Sequence, residues 1–432
     1  MQAAEILPRQ TLRRLSAASE LAASHVEHMS TSTAVGLAML WLAASSATHL
    51  KMPLPIGDPI LAILAGYARI CCAGSLAAGA LATAWGQPIA GILVALAAVP
   101  LGYKSWKAFS AAEEVRRRFV EGGISTAQQD EMEAAVSSSS PPFVMRISPL
   151  LGSLVWDGQC CSGVRVQRHY LDSGYADVWE LDPEAQGSQG YSRGIFFFVH
   201  GGSWRAMKPR SHAATCNLHS MALAGWKVVA CSYRKAEWPQ HVEDSFDALK
   251  WATQTQWPAH AKGTARNMKL IIAGNSAGGH IAAMLTDRAL RNGIHVHGCV
   301  FSYGVFDPSD EEGHYPSFCG RSLLATYFEN IVLRRQVDLW QTANPMLLPL
   351  ASYPPTLLLH GSLDAVVPIG QSRQFWTRLA ASRTRKSPPQ DLFVEVPGAR
   401  HSYEVSGDPS ARAAVVGACA WIKNLPSDYP SA

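Results

Sequence analysis

Residues 269–280 read KLIIAGNSAGGH, a short apolar run followed by a glycine-rich turn and a helix-forming stretch. Gly274, Ser276 and Gly278 fit the pattern G-x-S-x-G between a strand and a helix. The serine must sit on a sharp turn there, and bulky residues in place of the two glycines would collide with the adjoining strand and helix. The helix that follows points its first amide groups at any developing oxyanion. The stretch therefore predicts a nucleophilic serine at the end of a buried strand.

Short apolar runs alternate with helical periodicity on both sides of this motif. The near-continuous apolar runs are typical of strands buried on both faces, and they lie at 194–200, 227–232, 269–273, 297–302, 356–360 and 392–396. Helices are predicted at 242–253, 277–290, 371–379 and 411–424, and an antiparallel hairpin at 164–171 and 176–181. The pattern predicts an α/β fold with a mostly parallel central sheet flanked by helices. Its functional residues should lie beyond the carboxyl ends of the strands.

A serine hydroxyl requires a base within hydrogen-bond reach, and that base requires a carboxylate to orient it. Asp364 follows the strand at 356–360, and His401 lies in a loop after the last predicted strand. The order serine, acid, histidine along the chain is the one expected with this type of turn. Asp307 is the alternative acid, although an aspartate followed by proline is also typical of a turn or helix cap. We therefore predict Ser276, Asp364 and His401 as catalytic residues.

A second glycine-containing loop, HGGSW at 200–204, follows the first central strand. Paired glycines allow the backbone to approach a substrate oxygen closely. The amide N–H groups of Gly201, Gly202 and Ala277 are predicted to form an oxyanion hole. His200 is predicted to hold the loop rather than to take part in the chemistry.

The sequence contains weaker signals for the residues of the substrate pocket than for the catalytic residues. Trp204 and Tyr303 are the candidates, with packing in the core as the alternative for Trp204. The segment 306–346 is rich in aromatic and apolar residues and is predicted to form a cap. Packing between the cap helices is the alternative for those aromatic residues.

Together these motifs resemble the hormone-sensitive-lipase-like branch of the α/β-hydrolase superfamily, and within it bacterial-type membrane-associated carboxylesterases and lipases with an HGGxW motif. The resemblance covers roughly 160–425 and is carried by HGGSW (200–204), SYRKAEWPQHVEDSFDALKW (232–251), GNSAGGH (274–280), YPPTLLLHGSLDAVVP (353–368) and PGARHSYE (397–404). It implies an α/β-hydrolase fold and hydrolysis of a carboxylic ester through an acyl-enzyme on Ser276. No cofactor is predicted. Three residues of the second motif are implied to be structural: Tyr233, Arg234 and Asp244.

The same machinery is compatible with other functions. Arylformamidases and isoprenylcysteine methylesterases have a similar HGG-x-W loop, so amide or methyl-ester hydrolysis stays open. Ser203 departs from the family pattern, which commonly has glycine or a small apolar residue there. A non-catalytic binding protein with a hydrolase fold is a further alternative. Degenerate members of that kind typically lose the serine or the histidine, and here Ser276 and His401 are both present.

Composition argues against several other classes of function. The 37 basic and 33 acidic residues give a net charge of +4, so no nucleic-acid partner is predicted. The 9 cysteines include no CxxC pair, and the adjacent ones at 71–72 and 160–161 suit neither a zinc site nor a redox motif. His295 and His297 have no carboxylate or cysteine in their pattern to complete a site, so no metal is predicted.

The N-terminal region contains few charged residues. Residues 33–103 contain only three charged side chains: Lys51, Asp58 and Arg69. The run 33–50 has about the length that a bilayer requires, whereas 70–103 is too long for one crossing and is expected to break at Gly86-Gln87-Pro88. Basic residues on both outer flanks predict an even number of crossings, with the remainder of the chain on the cytoplasmic side. A soluble helical lid is the alternative.

The sequence therefore predicts three parts. Residues 1–110 form an N-terminal helical, membrane-associated region. Residues 111–145 form a helical connector that ends in a Ser/Pro linker, and residues 146–432 form the α/β-hydrolase catalytic domain. The expected substrate is a small-molecule or lipid ester, and the expected membrane contact is made by 33–103.

Overall fold

The computed structural model describes residues 31–47, 68–84, 87–137, 163–182, 193–210, 212–257, 268–383, 390–406 and 409–426. These residues fall into two compact units, one N-terminal up to Ser105 and one from Trp106 onward. The predicted Ser/Pro linker lies outside the described residues. Most of the segment that the sequence predicts as a connector belongs to the unit that contains the sheet.

The larger unit is built on a sheet of eight strands within the described residues. The strands are β1 (Val164–Leu171), β2 (Gly174–Leu181), β3 (Gly194–Val199), β4 (Lys227–Cys231), β5 (Lys269–Asn275), β6 (Gly298–Ser302), β9 (Thr356–Gly361) and β10 (Leu392–Val396), with β7 (Ser317–Phe318) and β8 (Arg321–Ser322) in a separate hairpin. Their order across the sheet is β1-β2-β4-β3-β5-β6-β9-β10. Only β1 with β2 and β2 with β4 are antiparallel among these pairs, so the predicted mostly parallel sheet is confirmed.

Helices of the larger unit cover both faces of its sheet. In chain order the helices are α1 (Thr31–Ala47), α2 (Ala68–Ala84), α3 (Pro88–Leu96), α4 (Ala98–Glu121), α5 (Thr126–Ser137), α6 (His212–Leu223), α7 (Gln240–Thr255), α8 (Ala277–Arg291), α9 (Leu323–Tyr327), α10 (Gly370–Ser382) and α11 (Pro409–Asn424). A π-helical turn covers Phe328–Val332, and short 3-10 turns cover Val337–Leu339, Gln341–Ala343, Pro345–Leu347, Leu350–Ser352 and Tyr403–Ser406. The sequence predicts α7, α8, α10 and α11 to within a few residues, but it does not predict α6.

The core has two halves, one on each face of the sheet. Along β3, Ile195 and Phe197 belong to one hydrophobic cluster and Phe196 and Phe198 to the other, because successive side chains of a strand point to opposite faces. Helices α7 and α8 supply side chains to the first cluster, and α6 and α11 supply them to the second. Burial on both faces explains why these strands consist of continuous apolar runs.

The end of α4 and the whole of α5 also contribute to the second cluster. Phe119 of α4 and Met132 of α5 are fully or almost fully buried in it. A Cβ atom at Gly417 of α11 would lie 2.1 Å from the Phe119 ring, so the close approach of α4 to α11 requires glycine there. The part of α4 after Trp106 and helix α5 therefore pack in the core of the unit that contains the sheet.

The N-terminal unit contains α1, α2, α3 and the beginning of α4. Helix α2 ends at Ala84 and α3 begins with Pro88 in its first turn, which agrees with the expected break. Helix α3 packs against both α1 and α2. The helical run Pro88–Glu121 has 34 residues and a mean hydropathy of 1.5 in its most apolar window, and among the described residues it alone is long and apolar enough to cross a membrane. It extends past the predicted end at 103 because the charged stretch that follows consists of good helix formers.

Candidate active site

The turn at Ser276 joins the end of β5 to the beginning of α8. Ser276 has φ 55° and ψ −127°, a conformation that is strained for any residue with a side chain. A Cβ atom at Gly274 would lie 2.3 Å from the carbonyl oxygen of Gly278. At Gly278 it would lie 2.2 Å from the carbonyl oxygen of Val199. The two glycines are therefore required by backbone contacts, as the sequence predicts, and they leave the serine at the tip of the turn.

The structure brings the three predicted catalytic side chains together. His401 Nε2 lies 3.1 Å from Ser276 Oγ, and His401 Nδ1 lies 2.8 Å from Asp364 Oδ2. Asp364 follows β9 and His401 follows β10, so both lie beyond the carboxyl ends of parallel strands. A carboxylate can only accept a hydrogen bond, so the proton of the imidazole is on Nδ1 and Nε2 is free to accept one from the serine hydroxyl.

Asp364 is fully buried yet ionised. Its Oδ1 accepts hydrogen bonds from the backbone amides of Val366 at 2.9 Å and Val367 at 2.8 Å. Burial on its own would raise the pKa of Asp364, but the charge of His401 and hydrogen bonds from His360 and His401 outweigh it and hold this pKa well below its usual range. The carboxylate is therefore available to orient the histidine at any pH near neutrality.

The alternative acid, Asp307, has a different role. Its Oδ1 accepts from the amide of Ser309 at 3.1 Å, and its Oδ2 accepts from the amide of Glu311 at 2.8 Å. The side chain thus caps its own turn, which is the structural alternative that the Asp-Pro pair indicates.

The predicted oxyanion hole needs one correction. The amide of Gly201 donates to Asn275 Oδ1 at 2.8 Å, so the prediction that it faces a substrate oxygen is wrong. The amides of Gly202, Ser203 and Ala277 donate no hydrogen bond to any residue that the structure describes. Gly201 is nevertheless needed, because a Cβ atom there would lie 2.8 Å from the backbone carbonyl oxygen of Asn275.

His200 holds this loop, as predicted. Its Nδ1 lies 2.7 Å from the carbonyl oxygen of Gly201, and its ring stacks on Tyr233 with centroids 4.3 Å apart. The Tyr233 hydroxyl donates to the carbonyl oxygen of His200 at 2.9 Å. Arg234 forms an ion pair with buried Asp244 at 2.7 Å, so the three residues that the family resemblance implies to be structural are structural here.

The two tentative pocket residues are both buried, and neither presents a surface to a substrate. Trp204 is 3% exposed, and its Nε1 donates to His280 Nδ1 at 3.2 Å, so the packing alternative is the correct one. Tyr303 has no exposed surface, and its ring packs against the His401 imidazole with centroids 4.6 Å apart. In the cap segment Phe328 is fully buried, whereas Phe318 is 73% exposed.

A buried polar network that is not predicted from the sequence lies behind His401. Asn275 Nδ2 donates to the Tyr303 hydroxyl at 2.9 Å, and the Tyr303 hydroxyl donates to Glu404 Oε1. Glu404 is 4% exposed, and burial raises its pKa to about 7, against the opposing effect of the Tyr303 hydrogen bond. The network links the serine turn, the glycine loop and the histidine loop. The only signals for it in the sequence are the amide residue before Ser276 and the glutamate three positions after His401.

The titration of Glu404 predicts a pH effect on stability. Its pKa is higher in the folded chain than in the unfolded chain, so the folded state holds a proton that the unfolded state has lost, and stability falls as pH rises from about 4.5 to about 7. We expect Glu404→Gln to reduce this pH-dependent fall in the free energy of unfolding by about 3 kcal/mol. Urea unfolding of the detergent-solubilised chain at pH 5 and pH 8 measures it. Glu395→Gln, an exposed ion-pair partner on β10, is the control, and the same pH dependence in both variants would contradict the assignment.

Comparison with known proteins is consistent with this geometry. Residues 196–403 match a family model described as alpha/beta hydrolase fold. Esterase LipC of Mycobacterium tuberculosis is 31% identical over 228 residues, which are 49% of this chain and 53% of LipC. Esterase LipQ of the same organism is 27% identical over 252 residues, 55% of this chain and 56% of LipQ. The chain thus spans little more than half the length of these curated relatives.

A solved hormone-sensitive lipase from a metagenome library is 17% identical, with a TM-score of 0.49 over 69% of this chain and 99% of that one. The family match covers the sheet from β3 onward, the Ser276 turn and His401, and it leaves out β1 and β2. Residues 196–403 of this chain are thus similar to proteins with the alpha/beta hydrolase fold.

Proposed function

We propose that this protein is a serine hydrolase that cleaves carboxylic esters through the triad Ser276, His401 and Asp364. The observation that carries the proposal is the chain of two contacts, 3.1 Å from Ser276 to His401 and 2.8 Å from His401 to Asp364. The names of LipC and LipQ, both esterases, support the same class of reaction.

The geometry supports an acyl-enzyme mechanism. Ser276 Oγ attacks the ester carbonyl while His401 Nε2 takes its proton, and the resulting imidazolium is stabilised by the Asp364 carboxylate. The imidazolium then protonates the leaving alcohol, which departs and leaves the acyl group on the serine. A water molecule, activated by the same imidazole, releases the carboxylic acid and restores the enzyme.

The oxyanion of the tetrahedral intermediate requires hydrogen-bond donors that do not already donate to another group of the protein. The amides of Gly202, Ser203 and Ala277 are suitable, since none of them donates to a described residue. Ser203 contributes only its backbone in this arrangement, which explains how a serine can replace the usual small residue. Losing one such donor typically costs about 3 kcal/mol of transition-state stabilisation.

The experiment that tests the proposal combines covalent labelling with turnover. The full chain should react with a fluorophosphonate probe at Ser276 and should hydrolyse short-chain nitrophenyl esters. A panel of esters of increasing acyl length, together with an aryl formamide, then defines the substrate class. A folded wild-type chain that neither labels nor turns over an ester would favour the non-catalytic binding protein.

We also propose that residues 33–103 attach the protein to a membrane, with the catalytic unit on the cytoplasmic side. The helical run Pro88–Glu121, which contains an 18-residue window of mean hydropathy 1.5, supports this, as do exposed apolar side chains on α1, α2 and α3, such as Leu40, Leu76 and Ile89. We expect the full chain to stay with the membrane fraction after alkaline carbonate extraction. Release into the supernatant would contradict membrane insertion and favour the soluble lid.

A further inference from the structure

A cavity of about 260 Å³ lies beside the glycine loop, at the carboxyl end of β4 and the turn between β1 and β2. Its walls include His200, Lys208, Ser232, Arg234 and Lys235. The three triad residues are not among its lining residues, so it is a separate concavity from the serine turn.

The lining of this cavity is basic. Lys208, Arg234 and Lys235 line it, and none of its lining residues is an aspartate or a glutamate. The charge of Arg234 is compensated by the buried carboxylate of Asp244. Lys208 and Lys235 form no ion pair with any residue in the part of the chain that the structure describes. The cavity wall therefore carries a net positive charge.

Lys235 is the most unusual of these cations. Its Nζ lies 3.3 Å from His200 Nε2 and 4.0 Å from the centroid of the Tyr233 ring, with no carboxylate near it among the described residues. Burial lowers the pKa of Lys235 to about 8, and burial followed by the charge of Lys235 lowers the pKa of His200 to about 3. An ammonium group in such a place is costly unless a counter-ion compensates it.

The guanidinium of a second basic residue adds to this positive region. Arg205 donates to the backbone carbonyl oxygens of Lys235 and Ile331, which leaves its charge without a carboxylate partner among the described residues. It lies close enough to lower the pKa of His241, after the larger effect of burial. Arg205 does not line the cavity itself, so the wall carries two uncompensated cations, Lys208 and Lys235, which is the arrangement expected of an anion site.

We propose that this cavity binds a phosphate-type oxyanion, with the Lys235 ammonium as its main contact. The fork of Arg234, which would suit a planar carboxylate, is already occupied by Asp244. The remaining cations on the wall are ammonium groups, which bind phosphate as point charges. The Ser232 hydroxyl accepts a hydrogen bond from the amide of Tyr175 at 2.8 Å and keeps its own proton to donate to the anion.

The site would also be connected to the glycine loop. His200 Nδ1 donates to the carbonyl oxygen of Gly201, so the lone pair of Nε2 faces the ammonium of Lys235. An anion on Lys235 competes with this contact. The proposal concerns binding alone and does not depend on ester hydrolysis, so it can fail or stand separately from the proposed function.

The test measures phosphate binding by the full, detergent-solubilised chain. Isothermal titration calorimetry and the shift in Tm are the two readouts. We expect inorganic phosphate to bind with a millimolar or lower Kd and to raise Tm, whereas acetate binds more weakly. Lys235→Met should weaken phosphate binding by about tenfold or more, because it removes the charged donor. Lys250→Met, which removes an exposed lysine on α7 that pairs with Asp247, should stay within about twofold of the wild type.

A short-chain phosphatidic acid distinguishes the two sources of such an anion. Tighter binding than inorganic phosphate supports a lipid headgroup, and equal binding supports a free phosphate. Circular dichroism and Tm without ligand show whether Lys235→Met is folded, and Lys208→Met provides a second variant in the same cavity. Two results would overturn the proposal: no heat and no Tm shift with phosphate in the wild type, or the same phosphate affinity in folded Lys235→Met. Acetate binding as tightly as phosphate would overturn the assignment of the anion class.

Discussion

Replacement of Ser276 by alanine is expected to lower kcat for a short-chain nitrophenyl ester by about 10⁵- to 10⁶-fold. The variant lacks the hydroxyl that lies 3.1 Å from His401 Nε2, so no acyl-enzyme can form. The amides of Gly202, Ser203 and Ala277 are untouched, and they leave a small residual rate above that in water. Labelling by a fluorophosphonate should disappear together with turnover.

The stability of this variant should hardly change. Alanine at position 276 has the same strained φ of 55° as the serine, and the backbone hydrogen bond from the amide of residue 276 to the carbonyl oxygen of Ser302 is retained. A Tm close to that of the wild type would therefore separate loss of chemistry from loss of fold. Ser352→Ala, at an exposed serine, is the matched control and should keep full activity. Undiminished turnover in folded Ser276→Ala would remove the proposed mechanism.

The strands and the triad could be predicted from the sequence because both are encoded locally. Strands such as β3 and β9 are buried on both faces, so each must be a continuous apolar run, and such a run is readable without knowledge of its neighbours. Ser276, Asp364 and His401 each directly follow one of these runs or lie in the loop after it. The parallel order of the strands then brings all three to one edge of the sheet.

The parts that could not be predicted depend on contacts between distant segments. The amide of Gly201 donates its hydrogen bond to Asn275, 74 positions away, and nothing in the motif HGGSW itself indicates this contact. Helix α6 is interrupted by polar residues such as His219 and Ser220, and both are buried by packing on the sheet. Glu404 is buried and accepts a hydrogen bond from the hydroxyl of Tyr303, 101 positions earlier. Tertiary context overrides the local pattern in each case.

Asp364 and Asp307 are the two candidate acids, and replacing each of them by asparagine distinguishes their roles. Asp364→Asn is expected to lower kcat by about 10⁴-fold. The asparagine amide can donate to His401 Nδ1, which favours the tautomer with the proton on Nε2, and this tautomer cannot accept the proton of Ser276. The side chain also loses the charge that stabilises the imidazolium. The pH–rate profile of wild type and variant with a nitrophenyl ester measures the loss.

Asp307→Asn is the matched control, since both acids follow parallel strands and both are buried. Its carboxylate accepts amide hydrogen bonds within its own turn and makes no contact with His401 among the described residues. We therefore expect kcat within about threefold of the wild type and a Tm lowered by a few degrees, because each charged acceptor in a turn contributes about 1 kcal/mol or more. If Asp307→Asn lost activity while Asp364→Asn kept it, the orienting acid would be Asp307, and the 2.8 Å contact between Asp364 and His401 would not be the one that orients the base. The proton on Nδ1 can be followed directly by its NMR resonance, which should shift only in the variant that changes the true partner.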